Sequence, residues 1–131
     1  MNAAGHRTWV ILGGHIPLHS TRPEPVYTSR DEIILLNTGG TEARVAMTMY
    51  YADRDPVGPY QIAVGARRVR RVRCNDLIDP EAMPLGVDYA VIVESDRPIV
   101  VQFERVDSSQ PALARLSGGA IPAEAWPRRC D

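Results

Sequence analysis

The sequence contains no lysine, so all 15 of its basic residues are arginine. The 16 acidic residues leave a formal net charge of -1, and such a balance produces no general basic field that would attract a polyanion. The composition therefore excludes a strongly basic nucleic-acid-binding protein. Any basicity that matters is local, and each arginine can pair bidentately with a carboxylate or a phosphate.

Long apolar runs are absent as well. Runs such as Trp9–Leu12, Ile33–Leu36 and Ile99–Val101 are far shorter than the ~20 residues that a membrane span requires. The N-terminal residues lack the continuous apolar stretch of a signal peptide. Two cysteines at unrelated positions, Cys74 and Cys130, fit reduced thiols better than a disulfide framework. We expect a cytoplasmic protein that is not inserted in a membrane.

Motifs for catalysis are also missing. The sequence has no G-x-S-x-G elbow, Walker A loop, dinucleotide-binding fingerprint or C-x-x-C pair. His15 and His19 are four residues apart, but Pro17 lies between them and Gly13–Gly14 precede them, so no helix brings both rings to one metal ion. We expect no enzymatic activity, no cofactor and no metal site.

Alternation of apolar and polar residues, the period of a β-strand with one buried face, dominates the sequence. Every second residue from Ala43 to Tyr51 faces one side, and Tyr60, Ile62 and Val64 repeat the pattern. These patterns predict strands at Glu32–Asn37, Ala43–Tyr51, Tyr60–Val64, Ala66–Cys74, Tyr89–Glu94 and Pro98–Val106. The first of them is apolar on both sides, which is typical of a central strand.

Turn residues separate the predicted strands. Asn37–Gly40 can supply positive φ, Ala52–Pro59 makes a hairpin loop, and Ser95–Arg97 joins the last two strands as a tight hairpin. Short helical turns are expected at Asn75–Pro84 and Ser109–Leu116.

This organisation predicts one all-β domain, an antiparallel β-sandwich over residues 1–131 with one or two short helical turns. Its core is expected at about 7–121, with a loose C-terminal tail at 122–131.

The densest local charge lies in Gly65–Cys74, where five of seven successive residues are arginine: Arg67, Arg68, Arg70, Arg71 and Arg73. Neither face of such a strand is apolar, so a bulge near Arg70–Arg71 is expected to bring Val69 and Val72 to one side. One interpretation is an edge or surface strand whose arginines pair with acids. The acids considered are Asp76, Glu94 and Glu104.

Two other interpretations of the arginine strand stay open. It can be a subunit or partner interface formed by Arg68, Arg70, Tyr50 and Tyr60, because arginine is enriched at interfaces and charged rows discourage unspecific edge pairing. Nucleic-acid binding is the third interpretation. It is less favoured because the segment lacks interleaved aromatic residues and a helical reading motif.

Polar residues at strand and loop ends form a candidate ligand site. Mixed amides, carboxylates and guanidinium groups suit hydrogen-bonded binding of a polar small molecule such as a sugar. The candidate residues are Glu24, Asn37, Arg67, Arg68, Asn75, Asp76, Gln102, Arg105 and Asp107. Each of them can equally tie loops together.

Several short motifs, in order from about Thr8 to Gln110, resemble the sensory rhodopsin transducer family: GHIP, PEP, YYADRDPVGPY, ARR, RCNDL and IVVQFERVDSSQ. The resemblance implies an all-β sandwich assembled as a ring-like homotetramer, with a signalling or ligand-binding role and a membrane photoreceptor, a microbial rhodopsin, as partner. It also implies a likeness to carbohydrate-binding modules and a link to sugar metabolism and DNA-associated regulation. After Gln110 the sequence departs from the family pattern.

We therefore predict a non-enzymatic, cytoplasmic, homotetrameric transducer that binds a membrane photoreceptor or another signalling protein. The alternative is a module that binds a carbohydrate-like small molecule and is linked to sugar metabolism or transcriptional regulation, with weak DNA association through its arginines. The role of residues 111–131 stays open.

Overall fold

A computed structural model describes residues 3–18, 29–107 and 114–123, with the backbone alone for 114–118. The described chain is built from antiparallel strands and one 3-10 turn, Cys74–Asp76. The strands are β1 His6–His15, β2 Arg30–Asn37, β3 Ala43–Tyr50, β4 Val57–Val64, β5 Arg68–Arg73, β6 Asp88–Asp107, β7 Ala114–Gly118 and β8 Ile121–Pro122. The all-β prediction is confirmed.

The strands form two sheets around one core. Sheet 1 has the order β4-β3-β6-β1-β8, and sheet 2 has the order β5-β2-β6-β7. Alternate side chains of both sheets, such as Val45 and Met47 of β3 and Ile33 and Leu35 of β2, are fully buried in a single hydrophobic cluster. Burial of these alternating residues drives the two sheets together.

Strand β6 belongs to both sheets. Its first part pairs with β1 and β3, and its second part pairs with β2 and β7. The predicted hairpin at Ser95–Arg97 is therefore wrong, because the chain stays extended through these residues. A tight hairpin needs positive φ, which none of them adopts, and the Asp96 side chain instead accepts a hydrogen bond from the backbone N–H of Arg44 at 2.8 Å.

Two further elements differ from the prediction. Strand β1 was missed, because Gly13 and Gly14 end the apolar run at Trp9–Leu12 and a bulge breaks its register between Ile11 and Gly14. The helical turn predicted at Ser109–Leu116 is also wrong where the structure describes it, since β7 pairs with β6 there. Where a helical turn was predicted at Asn75–Pro84, the structure has only the short 3-10 turn Cys74–Asp76.

The remaining elements follow the sequence pattern. Strands β3 and β4 form the expected hairpin, and β2 is central in sheet 2, between β5 and β6. Residues 124–131 of the expected tail lie outside the described residues. No helix in the described ranges has the length and apolarity to cross a membrane.

Candidate functional site

The arginine-rich strand β5 is an edge strand. Within the described residues it pairs only with β2, and the register runs without interruption from Glu32 opposite Arg73 to Asn37 opposite Arg68. The predicted bulge is therefore wrong. The regular alternation places Arg68 and Arg70 on the same face as the buried core residue Val72, and Val69, Arg71 and Arg73 on the other.

Arg71 joins an ionic cluster on the outward face of sheet 2. Its Nη1 donates to Glu32 Oε2 at 2.6 Å and lies 3.4 Å from Glu104 Oε1, one of the three predicted partners. Arg30 Nε donates to the other oxygen of Glu32 at 2.5 Å. Glu32 is buried, so both of its oxygens depend on these arginines for the hydrogen bonds that water would otherwise supply.

Burial by itself raises the pKa of the Glu32 carboxyl, but hydrogen bonds from Arg30 and Arg71, together with their charges, hold it below its usual value of 4.5. A carboxyl with a lowered folded-state pKa stabilises the fold above its unfolded-state pKa. That stabilisation is lost as the pH falls through the folded-state value.

We expect Glu32→Gln to lower the free energy of unfolding by about 2 kcal/mol at neutral pH, because charged hydrogen bonds to two arginines are lost. The difference from wild type should be constant above a pH of about 5 and shrink in more acidic solution. Urea denaturation across a pH series measures it. Glu94→Gln, which removes an exposed carboxylate, controls for charge loss, and a pH-independent Glu32→Gln difference would contradict the assignment.

The other arginines of this edge contact backbone oxygens. Arg70 Nη1 donates to Ala63 O of β4 at 2.7 Å, which connects the edges of the two sheets. Arg68 Nη1 donates to Arg67 O at 3.1 Å, and Arg67, in the left-handed region at φ 54°, donates its N–H to Gly39 O. Within the described residues, Arg67, Arg68 and Arg70 make no ion pair and are exposed.

A second buried carboxylate, Asp31, lies on the inward face of β2. Its Oδ1 accepts a hydrogen bond from Arg105 Nε at 2.8 Å, and its Oδ2 accepts from Tyr89 Oη and from the backbone N–H of His15, each at 2.7 Å. Arg105 Nη2 also donates to Gly13 O at 2.7 Å. Asp31 is 0% exposed and joins β1, β2 and both parts of β6.

Burial governs the ionisable groups around Asp31. It raises the pKa of the Tyr89 hydroxyl far above its usual value, so this hydroxyl remains a hydrogen-bond donor. Burial also raises the pKa of the neighbouring Cys74 thiol to about 12, so the nucleophilic thiolate is scarce at neutral pH. Asp31 and its hydrogen-bond donors, Arg105, Tyr89 and the N–H of His15, hold three strands together, and we call this set the structural lock. Sequence reasoning missed Asp31 and Tyr89.

The predicted ligand residues lie in three places, and Glu24 lies outside the described residues. Asn37, Arg67 and Arg68 are at one end of the sandwich. At the other end are Asn75, Asp76, Arg105 and Asp107, while Gln102 is exposed on the outward face of sheet 2 opposite Ile34.

Asn37 and Asn75, like Arg105 beside Asp31, already have structural partners. Asn37 is buried, and its amide nitrogen donates to the carbonyl oxygens of Thr41, Val64 and Gly65 at 2.9–3.2 Å. Asn75 donates from Nδ2 to Ser29 O at 3.1 Å. Their contacts tie loops to strands.

An open cleft of about 240 Å³ lies beside β4 and is lined by Glu42, Arg44, Gln61, Ile62 and Ala63. None of the eight predicted ligand residues that the structure describes lines it.

The four predicted interface residues do not form one surface in the structure. Tyr60 is a core residue, since its ring is buried and its hydroxyl donates to Glu81 O at 2.6 Å, so another molecule cannot reach it. Tyr50 is exposed on the outward face of sheet 1. Of the four predicted interface residues, three are therefore exposed to another molecule: Tyr50 on sheet 1 and the edge residues Arg68 and Arg70 on sheet 2.

One row of residues across the outward face of sheet 1 is uncharged and mostly apolar. Register places Thr48, Ile92, Val10 and Ile121 side by side across four strands, without a charged residue among them. Next to this row Tyr50 lies opposite Ala90. Leu12, Ile121 and Tyr50 are 68%, 56% and 43% exposed, which is typical of a protein-contact surface.

These features define an all-β protein with an uncharged row on sheet 1, an arginine-rich edge strand and a buried hydrogen-bonded lock. Residues 4–122 match the family model described as Anabaena sensory rhodopsin transducer, and the chain belongs to that family.

Solved structures agree with this assignment. The Anabaena sensory rhodopsin transducer is 43% identical, with a TM-score of 0.72 over 79% of this chain and 98% of its own. A second structure, Thermotoga maritima 1070, is 23% identical, with a TM-score of 0.79 over 92% of this chain and 97% of its own, and shows the shared fold. Comparison with curated proteins gave no match.

Proposed function

We propose that the chain is a non-enzymatic signal transducer that acts as a homotetramer in the cytoplasm and binds a membrane photoreceptor of the sensory rhodopsin class. The observation that carries this proposal is the family match over residues 4–122. A β-sandwich supports many functions, so the relationship to a named sensory rhodopsin transducer and the surfaces available for contact provide the support.

The apolar face of sheet 1 supports self-association. Its row of Thr48, Ile92, Val10 and Ile121 presents β-branched side chains on a regular pleated surface. A second copy that packs the same face against it would bury this surface in a self-complementary contact. The hydrophobic effect favours such burial in proportion to the apolar area removed from water.

We expect the wild-type chain to elute with four times its monomer mass of 14.5 kDa in size exclusion with multi-angle light scattering. Leu12→Asp should shift the mass towards the monomer, because a charge placed on the packed face loses its hydration in the contact. Ile78→Asp is the matched control, since Ile78 is an exposed apolar residue of the loop before β6. A monomeric wild type would refute the tetramer, and an unchanged Leu12→Asp mass would refute this face.

Partner binding has its own test. The purified chain should bind a sensory rhodopsin embedded in nanodiscs and show no binding to empty nanodiscs of the same lipid. Equal binding to both would reject the photoreceptor as the partner.

The carbohydrate alternative has less support from the described residues. Its described candidate residues lie in three separate places, and Asn37 and Asn75 already bond to backbone oxygens. The cleft beside β4 has a different lining.

A further inference from the structure

The free edge of β5 combines backbone hydrogen-bonding groups with unpaired charge. A strand bonded on one side only presents a row of N–H and C=O groups on the other. Within the described residues β5 pairs only with β2, and its register has no bulge that would turn this edge away. Residues 68–71 are all exposed. The geometry of an added strand is thus available.

The positive charge on this edge determines which kind of added strand it can bind. Arg67, Arg68 and Arg70 make no ion pair among the described residues, and Arg44, in the cleft beside the adjacent edge of β4, makes none either. Glu42 is the acidic residue of that cleft. Two β5 edges placed together would bring arginines against arginines, which disfavours a second copy. An acidic strand would instead be attracted.

The outward face of the same edge, which carries the Arg71 ionic cluster, also has one exposed apolar position, Val69. Register places Val100, Leu36 and Val69 side by side on β6, β2 and β5. Val69 is 65% exposed, at the open end of this row. A residue of an added strand that lies opposite Val69 would extend the row, while its two neighbours in sequence would point to the face of Arg68 and Arg70.

We propose that the β5 edge binds an extended acidic peptide segment of a protein partner by strand addition, with an acidic–apolar–acidic core that matches Arg68, Val69 and Arg70. Backbone pairing supplies affinity, and the alternating side chains supply specificity. The arginines accelerate the encounter through charge complementarity. A nucleic acid offers charge but no backbone pairing, and β5 has no aromatic residue for base stacking.

This inference rests on the proposed partner-binding function for its biological setting, but the peptide test is independent of any photoreceptor. The probe is a fluorescently labelled, end-blocked peptide Glu-Val-Glu-Val-Glu-Val-Glu, measured by fluorescence anisotropy with the full chain. The peptide Glu-Val-Glu-Pro-Glu-Val-Glu has the same charge, but its central proline removes an N–H and disfavours a strand. It should bind about tenfold more weakly.

Matched protein variants locate the site. Arg68→Ser and Arg70→Ser should each weaken peptide binding about tenfold. Arg54→Ser removes the same charge from the loop between β3 and β4, where Arg54 contacts the Tyr51 ring and Glu81. Because these contacts involve no residue of β5, the substitution should change peptide binding less than twofold. Circular dichroism and thermal unfolding establish that each variant remains folded.

Several results would overturn the inference. They are no binding of the alternating peptide, equal binding of the proline peptide, equal weakening by Arg54→Ser, or tighter binding of an oligothymidylate of equal charge. If the nanodisc photoreceptor binds wild type and Arg68→Ser/Arg70→Ser equally while the peptide does not bind, the edge proposal alone fails. If the peptide binds but the photoreceptor does not, the photoreceptor proposal alone fails.

Discussion

Replacement of Asp31 by alanine is expected to lower the free energy of unfolding by about 3–5 kcal/mol, the cost of removing one member of a buried ion pair. The change leaves the Arg105 guanidinium without its carboxylate and the Tyr89 hydroxyl without its acceptor. It also removes the hydrogen-bond acceptor of the His15 backbone N–H. Urea denaturation at fixed protein concentration measures the effect, since self-association would otherwise change the apparent stability.

Asp88→Ala is the matched control for Asp31→Ala. Asp88 also accepts a hydrogen bond from His15, at 2.7 Å from Nδ1, but its side chain is 90% exposed. An exposed pair contributes little because water replaces the lost partner, so we expect a change of about 1 kcal/mol or less. If the two substitutions had equal effects, Asp31 would not be the lock that joins the two parts of β6.

Gly14→Ala is expected to destabilise the fold by about 3 kcal/mol through overpacking. A Cβ at Gly14 would lie 2.3 Å from Cε2 of the Tyr89 ring. The ring cannot move aside easily, because it is buried and its hydroxyl is bonded to Asp31. Thermal unfolding or urea denaturation measures the loss.

Gly13→Ala tests whether the steric clash with Tyr89 causes the loss of stability in Gly14→Ala. Gly13 lies in the same bulged part of β1, but a Cβ there would meet nothing within 4 Å, so we expect an effect within roughly 0.5 kcal/mol. In a Tyr89→Leu background the Gly14→Ala cost should largely disappear, since the ring carbons are gone. A Gly14→Ala cost that persists without the ring would point to the backbone of the bulge instead.

Much of the candidate surface could be predicted from particular residues. The arginine run indicated, as one of three interpretations, an edge or surface strand whose arginines pair with Asp76, Glu94 or Glu104. Of these acids, Glu104 lies 3.4 Å from Arg71. Asp31 was missed, although it has the same parity along β2 as the buried Ile33 and Leu35. A carboxylate in a core position is a signal for a buried ion pair, but its partner Arg105 is 74 residues away in sequence, which periodicity cannot reveal.

The interface residues show the same division. Tyr50 and Tyr60 are the same residue type, so composition treats them alike, although alternation already grouped Tyr60 with Ile62 and Val64 and left Tyr50 out of the set that begins at Ala43. Their register relative to the core places Tyr50 outside and Tyr60 inside. A shift of one residue in either strand would exchange the two faces.

Local alternation, turn residues and apolar periodicity determined from sequence alone that this chain forms β-strands, because each depends on neighbours within a few residues. Tertiary structure decided where each strand pairs. It kept β6 extended from one sheet into the other, and it brought Asp31, Tyr89 and Arg105 together. It also left the β5 edge open within the described residues. The physical reason is that strand pairing and burial are set by contacts between residues distant in sequence.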